Sequence, residues 1–216
     1  MIMSYICPTI TASNAHTFRQ QMERIAPFAR RVHIDLMDGF FAPRKSLDPS
    51  EVWWPAGMKA DIHLMFKNPG KQIESVINLR PQLIIIHAEA EGKFFELAGR
   101  IKQAKINVGV ALLKQTPVSE IEPALQVIDH VLVFSGNLGY QGGSRAELEL
   151  LTKVKTLRNI KSNLEIGWDG GITEHNIRQI VDGGADVLNV GGYIQRAEDA
   201  GSAYAKLKKI ITKADK

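Results

Sequence analysis

The sequence predicts an α/β protein in which eight parallel strands close into a (β/α)8 barrel. Three observations predict it. Eight short β-rich runs alternate with amphipathic stretches of helical period, and no linker interrupts the alternation. No GxGxxG follows the first run, as it does in open doubly wound sheets that bind dinucleotides. Glycines and acidic or imidazole side chains recur at the ends of runs two, three, four, six, seven and eight, whereas an open sheet would draw mainly on one switch point.

The predicted strands are 4–9, 31–36, 60–64, 83–87, 107–112, 130–134, 163–167 and 187–191. The first helix, 14–29, opens on an Asn or Ser cap and repeats Phe18, Met22, Ile25 and Phe28 along one face. Segments 71–78, 92–103, 117–127, 145–157, 174–182 and 197–211 follow the same logic, and 49–54 carries the faintest helical pattern. Roughly eight helices then alternate with the strands in one domain, 1–216. The length, 216 residues, is slightly below the usual size of such a barrel. With 44% hydrophobic and 23% charged residues the chain can bury a sizeable core, which excludes disordered and fibrous classes.

Twenty-seven Lys and Arg against 23 Asp and Glu leave +4, part of it in the tail 206–216. That excess suits phosphorylated metabolites and is too small to argue for nucleic acid. Cys7 stands alone, so no intramolecular disulfide forms and a reducing compartment is expected. Residues 1–5 lack the regions of a signal peptide, and no apolar run approaches the ~18 residues of a membrane span. The expectation is a cytoplasmic homo-oligomer without membrane or nucleic-acid partners.

The chemistry begins at His33 and Asp35, two residues apart on the second strand and therefore on one face, the barrel interior. A buried carboxylate there needs a positive or hydrogen-bonding answer, which the neighbouring histidine alone can supply. His63 ends the third strand at the same spacing from Asp61, and Asp169 follows the seventh strand across the mouth. Two imidazoles and two carboxylates, His33, Asp35, His63 and Asp169, form a candidate site for one divalent metal ion. Zn, Fe, Mn and Co suit that donor set alike. Gly139, Gly142 and Gly143 follow strand six, Gly170 and Gly171 strand seven, and Gly191 and Gly192 strand eight. One such pair is explained by tight turns; three on neighbouring loops favour a phosphate cradle of backbone N–H groups.

The motifs HIDLMDG at 33–39, HLM at 63–65, HAEA at 87–90, DGG at 169–171 and GGADV at 183–187 occur in order, each at its matching strand. Together they resemble the ribulose-phosphate 3-epimerase family over essentially the whole chain. The resemblance implies a TIM barrel, a divalent metal, and inversion at C3 of a ketose phosphate through a metal-stabilised enediolate. It matches His33, Asp35, His63 and Asp169 to metal ligands, Asp35 and Asp169 also to the acid/base pair, and Met37 and Met65 to residues lining the reacting centre. Two carboxylates on different sides of the mouth suit the reaction, because epimerisation needs a base on one face of the carbon and an acid on the other.

The substrate loops depart from the family pattern. Phe41-Ala42-Pro43-Arg44-Lys45 replaces a Phe-Val-Pro-Asn loop, Leu138-Gly139-Tyr140-Gln141-Gly142-Gly143 replaces Pro-Gly-Phe-Gly-Gly-Gln, and Gly191-Gly192 replaces Gly-Ser. Cys7-Pro8-Thr9 replaces Ser-Pro-Ser and keeps one hydroxyl, on Thr9. Arg44 and Lys45 are either solvated loop charges or reach a further group on the substrate. The expected reaction is D-ribulose 5-phosphate to D-xylulose 5-phosphate, in the pentose phosphate pathway, with a hexulose 6-phosphate such as allulose 6-phosphate as the alternative. Related decarboxylating barrels use an Asp-x-Lys-x-x-Asp run, and Asp35-Leu36-Met37-Asp38 lacks the lysine. A non-catalytic sugar-phosphate sensor would not need to retain two buried acids.

Overall fold

A computed structural model describes residues 4–212. Residues 1–3 and 213–216, the latter the end of the basic tail, lie outside the described residues. Strands β1 (Tyr5–Thr11), β2 (Arg31–Met37), β3 (Lys59–Met65), β4 (Leu83–His87), β5 (Asn107–Leu112), β6 (His130–Phe134), β7 (Glu165–Asp169) and β8 (Val187–Val190) close into a barrel in chain order. Every neighbouring pair is parallel, including β1 with β8.

The two-residue period of the strands separates two cores. Outward side chains such as Ile34, Ile62, Ile84, Val131, Ile166 and Leu188 join the helices in one continuous apolar layer. Inward side chains Leu83, Ile85, Ala111 and Leu132 form a separate apolar plug on one side of the interior. Polar side chains are buried in the rest of the interior, His33, Asp35, Asp61, His63 and His130 among them. At its floor Arg31 Nε donates to Asp61 Oδ2 at 2.7 Å, and its two terminal nitrogens fork onto Glu165 at 2.8 Å each. Glu165 also meets His130 Nδ1 at 2.8 Å. Burial would push Glu165 up, but Arg31 and His130 hold it well below the usual carboxylate range. This charge network closes the floor and leaves the C-terminal mouth for chemistry.

The helices are α1 (Ala15–Ile25), α2 (Ile73–Asn78), α3 (Phe94–Gln103), α4 (Leu151–Ile160), α5 (Ile177–Asp182), α6 (Gly192–Gln195) and α7 (Ala200–Thr212). Asn14 caps α1 by accepting from Thr17 N at 2.9 Å, and Phe18, Met22 and Ile25 are its buried face. Such a cap contributes ~1 kcal/mol. One helix per strand is not what forms. After β2 the segment Pro49–Glu51 makes only a 3₁₀ turn capped by Asp48. After β5, Val118–Ala124 is also 3₁₀, because Pro123 lacks the N–H that an α-helix over 117–127 would need. Strand β7 lies two residues later than expected, which brings Asp169 inside the strand rather than after it. The short helix α6, absent from the sequence reading, follows β8 directly. Among the described residues no helix is long and apolar enough to cross a membrane.

Candidate metal centre and active site

Register and alternation bring four of the predicted residues together. Asp35 on β2 pairs in register with His63 on β3, and Asp169 ends β7, which is separated from β2 in the other direction around the ring by β1 and β8. His33, Asp35, His63 and Asp169 are all buried, and one ligand atom from each lies within 4.8 Å of the other three. His33 Nε2 lies 3.3 Å from Asp35 Oδ1 and 3.5 Å from Asp169 Oδ2, and His63 Nδ1 lies 3.0 Å from Asp35 Oδ1. Yet both ring nitrogens of His33 are buried without a well-directed hydrogen bond. Converging donor atoms, with those of His33 left unsatisfied, fit a divalent cation at their centre.

The charges agree with that fit. Burial opposes a charge on His33, but the nearby carboxylates of Asp169 and Asp35 hold the imidazolium up to about 10. Asp35, which burial would raise, is held well below the carboxylate range by His33 and His63. Two buried acids therefore require positive charge among them, from a proton on His33 or from a metal ion.

A chain of contacts behind His63 orients its ring. His63 Nε2 meets His87 Nε2 at 2.8 Å, and His87 Nδ1 meets Glu89 Oε2 at 3.2 Å. Burial lowers His87 to about 4, so its ring is neutral at pH 7. Burial would raise Glu89, but hydrogen bonds from His87, Thr116 and Leu113 hold it at about 2, so it only accepts. His87 Nδ1 then carries the hydrogen, His87 Nε2 accepts, and His63 Nε2 donates. His63 Nδ1 thus faces the cluster, 3.0 Å from Asp35 Oδ1, where it would coordinate a bound ion.

Above the cluster lies a cavity of about 300 Å³. Thr9, Asp35, Met65 and Asp169 line it, together with Gly139, Gly142, Gly143, Gly170, Gly171, Gly191 and Gly192. Met37 packs against Met65 and Ala42 but borders an adjoining cavity instead. The glycines are not equivalent. A Cβ on Gly171, at φ +71°, would lie 2.0 Å from Ala146 N, so loop packing alone requires that glycine. A Cβ on Gly191 would meet only the side chains of Gln141 at 3.2 Å and Thr9 at 3.5 Å, and its opening faces the cavity.

Several residues at the mouth carried no sequence signal of their own. Thr11 Oγ1 donates to Asp35 Oδ2 at 2.6 Å, a contact available because β1 runs two residues past its expected end. Arg196 lies across Gly142 and Gly192 and donates to Gln141 O at 2.9 Å. Arg44 stacks over the Tyr140 ring at 4.3 Å, so its charge is engaged by the loop after β6. His87 and Glu89 belong to the motif of the fourth strand, and their role comes from the contact of His87 with His63 and of Glu89 with His87.

Fold and site together define a class: a (β/α)8 barrel whose C-terminal mouth holds a buried His₂Asp₂ cluster able to take a metal ion, beneath a glycine-lined cavity. The comparisons narrow the class. The family model described as "Ribulose-phosphate 3 epimerase family" matches residues 5–195, and the chain belongs to that family. It is 33% identical to the ribulose-phosphate 3-epimerase of Aquifex aeolicus (strain VF5), over 98% of this chain and 99% of that protein. It is 28% identical to the ribulose-phosphate 3-epimerase of Schizosaccharomyces pombe, over 99% and 96% of the two chains. Among solved structures, 3-hexulose-6-phosphate synthase from Salmonella typhimurium superposes with a TM-score of 0.73 at 13% identity, covering 95% of this chain and 97% of that one. That likeness is one of fold alone.

Proposed function

We propose that the protein is an isomerase that inverts C3 of D-ribulose 5-phosphate to give D-xylulose 5-phosphate. The observation that carries this reading is the meeting of two buried carboxylates, Asp35 from β2 and Asp169 from β7, on one cluster at the cavity floor. A carbon held between them has a proton acceptor on one side and a donor on the other. One aspartate removes the C3 proton, the other delivers a proton to the opposite face, and the roles exchange in the reverse direction. Thr11, donating to Asp35 Oδ2, holds that carboxylate in place.

His33, Asp35, His63 and Asp169 would hold the divalent ion, for which Zn²⁺, Fe²⁺, Mn²⁺ and Co²⁺ remain equal choices by donor type. When bound, such an ion would supply positive charge beside the ketose carbonyl, which eases loss of the C3 proton. Met65, with Met37 packed behind it, keeps water from that carbon. Backbone N–H groups of the glycine loops, Gly191 above all, bind the phosphate, and Thr9 presents its hydroxyl to the sugar.

The test is a side-by-side assay of ribulose 5-phosphate and allulose 6-phosphate with each of the four metals, before and after chelation. Turnover of the pentulose phosphate, lost with the metal and restored by it, is the expected result. Preference for the hexulose phosphate would move the substrate to the longer ketose, and metal-retaining protein inactive on both would leave only a binding role.

A further inference from the structure

Asn189 is 2% exposed, and neither its amide oxygen nor its amide nitrogen has a hydrogen-bond partner. A buried amide left wholly unanswered is costly, and native proteins rarely retain one without a purpose. The residue itself lines the cavity above the metal cluster. On β8 it pairs in register with Asp169 of β7 on one side and Cys7 of β1 on the other. Two residues further on, just past the end of β8, comes Gly191, whose Cα opens on the cavity beside Thr9. Thr9 Oγ1 is itself buried and without a partner.

Resting on the epimerase reading above, we infer that Asn189, with Thr9, binds the C4 hydroxyl of the ketose phosphate and selects for it. The placement supplies the reason. With C3 at Asp35 and Asp169 and the phosphate at the Gly191 loop, C4 comes first on the way between them and passes Asn189, which sits level with Asp169 and below Gly191. An amide both donates and accepts, as a secondary alcohol does, so one hydroxyl answers both of its orphaned atoms. A site built this way rejects an analogue that lacks the hydroxyl, because the amide is then left buried and unpaired.

The experiment compares ribulose 5-phosphate with its 4-deoxy analogue, using wild type, Asn189→Leu and Asn189→Ser, with bound metal and melting temperature measured for each. Leucine keeps the size and removes both polar atoms; serine is too short to reach and covers the case in which the leucine variant does not fold. Wild type should favour the full substrate in kcat/KM, and both variants should lose on the order of 10- to 100-fold on it. On the 4-deoxy analogue they should lose little, with metal content unchanged. A calorimetric titration with the unreactive ribitol 5-phosphate should show the same variant-dependent loss without turnover. Equal losses on both ketoses, or a wild type indifferent to the C4 hydroxyl, would overturn the role of Asn189 while leaving the epimerase reading intact. Failure of wild type to turn over either ketose would instead remove that reading, and this role with it.

Discussion

His63 Nε2 lies 2.8 Å from His87 Nε2, so one ring must donate to the other, and Glu89 on the far side of His87 decides which. The acceptor-only carboxylate of Glu89 takes the hydrogen of His87 Nδ1, so His63 Nε2 donates to His87 and His63 Nδ1 is held facing Asp35 and the cluster.

Replacing His87 by Leu removes the acceptor for His63 Nε2–H and frees the His63 ring to turn or change tautomer. Metal affinity should fall by about 10- to 100-fold, as is usual when a partner behind a metal-binding histidine is lost. Competition with a chelator of known affinity measures it, and an unchanged affinity would show that His87 plays no part in orienting the ligand.

The two kinds of glycine at the mouth separate binding from folding. Gly191→Ala should raise KM for the phosphorylated ketose with a smaller change in kcat, because its Cβ enters the cavity past side chains that can move. Gly171→Ala should lower the melting temperature instead, since its Cβ runs into the backbone of Ala146 at positive φ, a strain of ~1–3 kcal/mol. An unchanged KM for the Gly191 variant would count against phosphate binding at that loop.

Much of this was legible in the sequence because the two-residue period of a strand fixes which side chains share the barrel interior. His33 with Asp35, and His63 on the next strand, follow from that period alone. The helices were less legible. Helical periodicity over 117–127 persists in the apolar residues Val118, Ile121 and Ala124, which are buried, although Pro123 prevents the α-helical hydrogen bonding that the pattern suggests. Thr11, Asn189 and Arg196 were missed because their meaning depends on partners distant in sequence: Asp35, the cavity, and the loop containing Gly142. Arg44 was left between solvent and substrate, and the Tyr140 ring that takes it lies on a loop almost a hundred residues away.

The floor network predicts a pH dependence of stability. Glu165 is held below its ordinary value by Arg31 and His130, so it stabilises the fold above the unfolded carboxylate pKa of ~4.3, and that contribution is lost as pH falls. Glu165→Gln should melt at a lower temperature than wild type at pH 7, and the gap should narrow steadily below about pH 4.3. Thermal melts across pH 2–7 measure this; a gap that stays constant would mean that the carboxylate charge contributes nothing to the floor.

The most direct measurement of the proposed chemistry is isotope exchange at C3 by Asp35→Asn and Asp169→Asn in deuterated water, with bound metal determined in each variant. Each substitution keeps the shape and removes one proton carrier, so epimerisation should fall by at least the ~10²–10⁴ typical of a general acid or base. If the aspartates serve opposite faces, a metal-retaining variant should still exchange the C3 hydrogen of one epimer far faster than it converts that epimer, and the two variants should favour opposite epimers. Equal, residual exchange from both epimers in both metal-retaining variants would contradict two separate carriers.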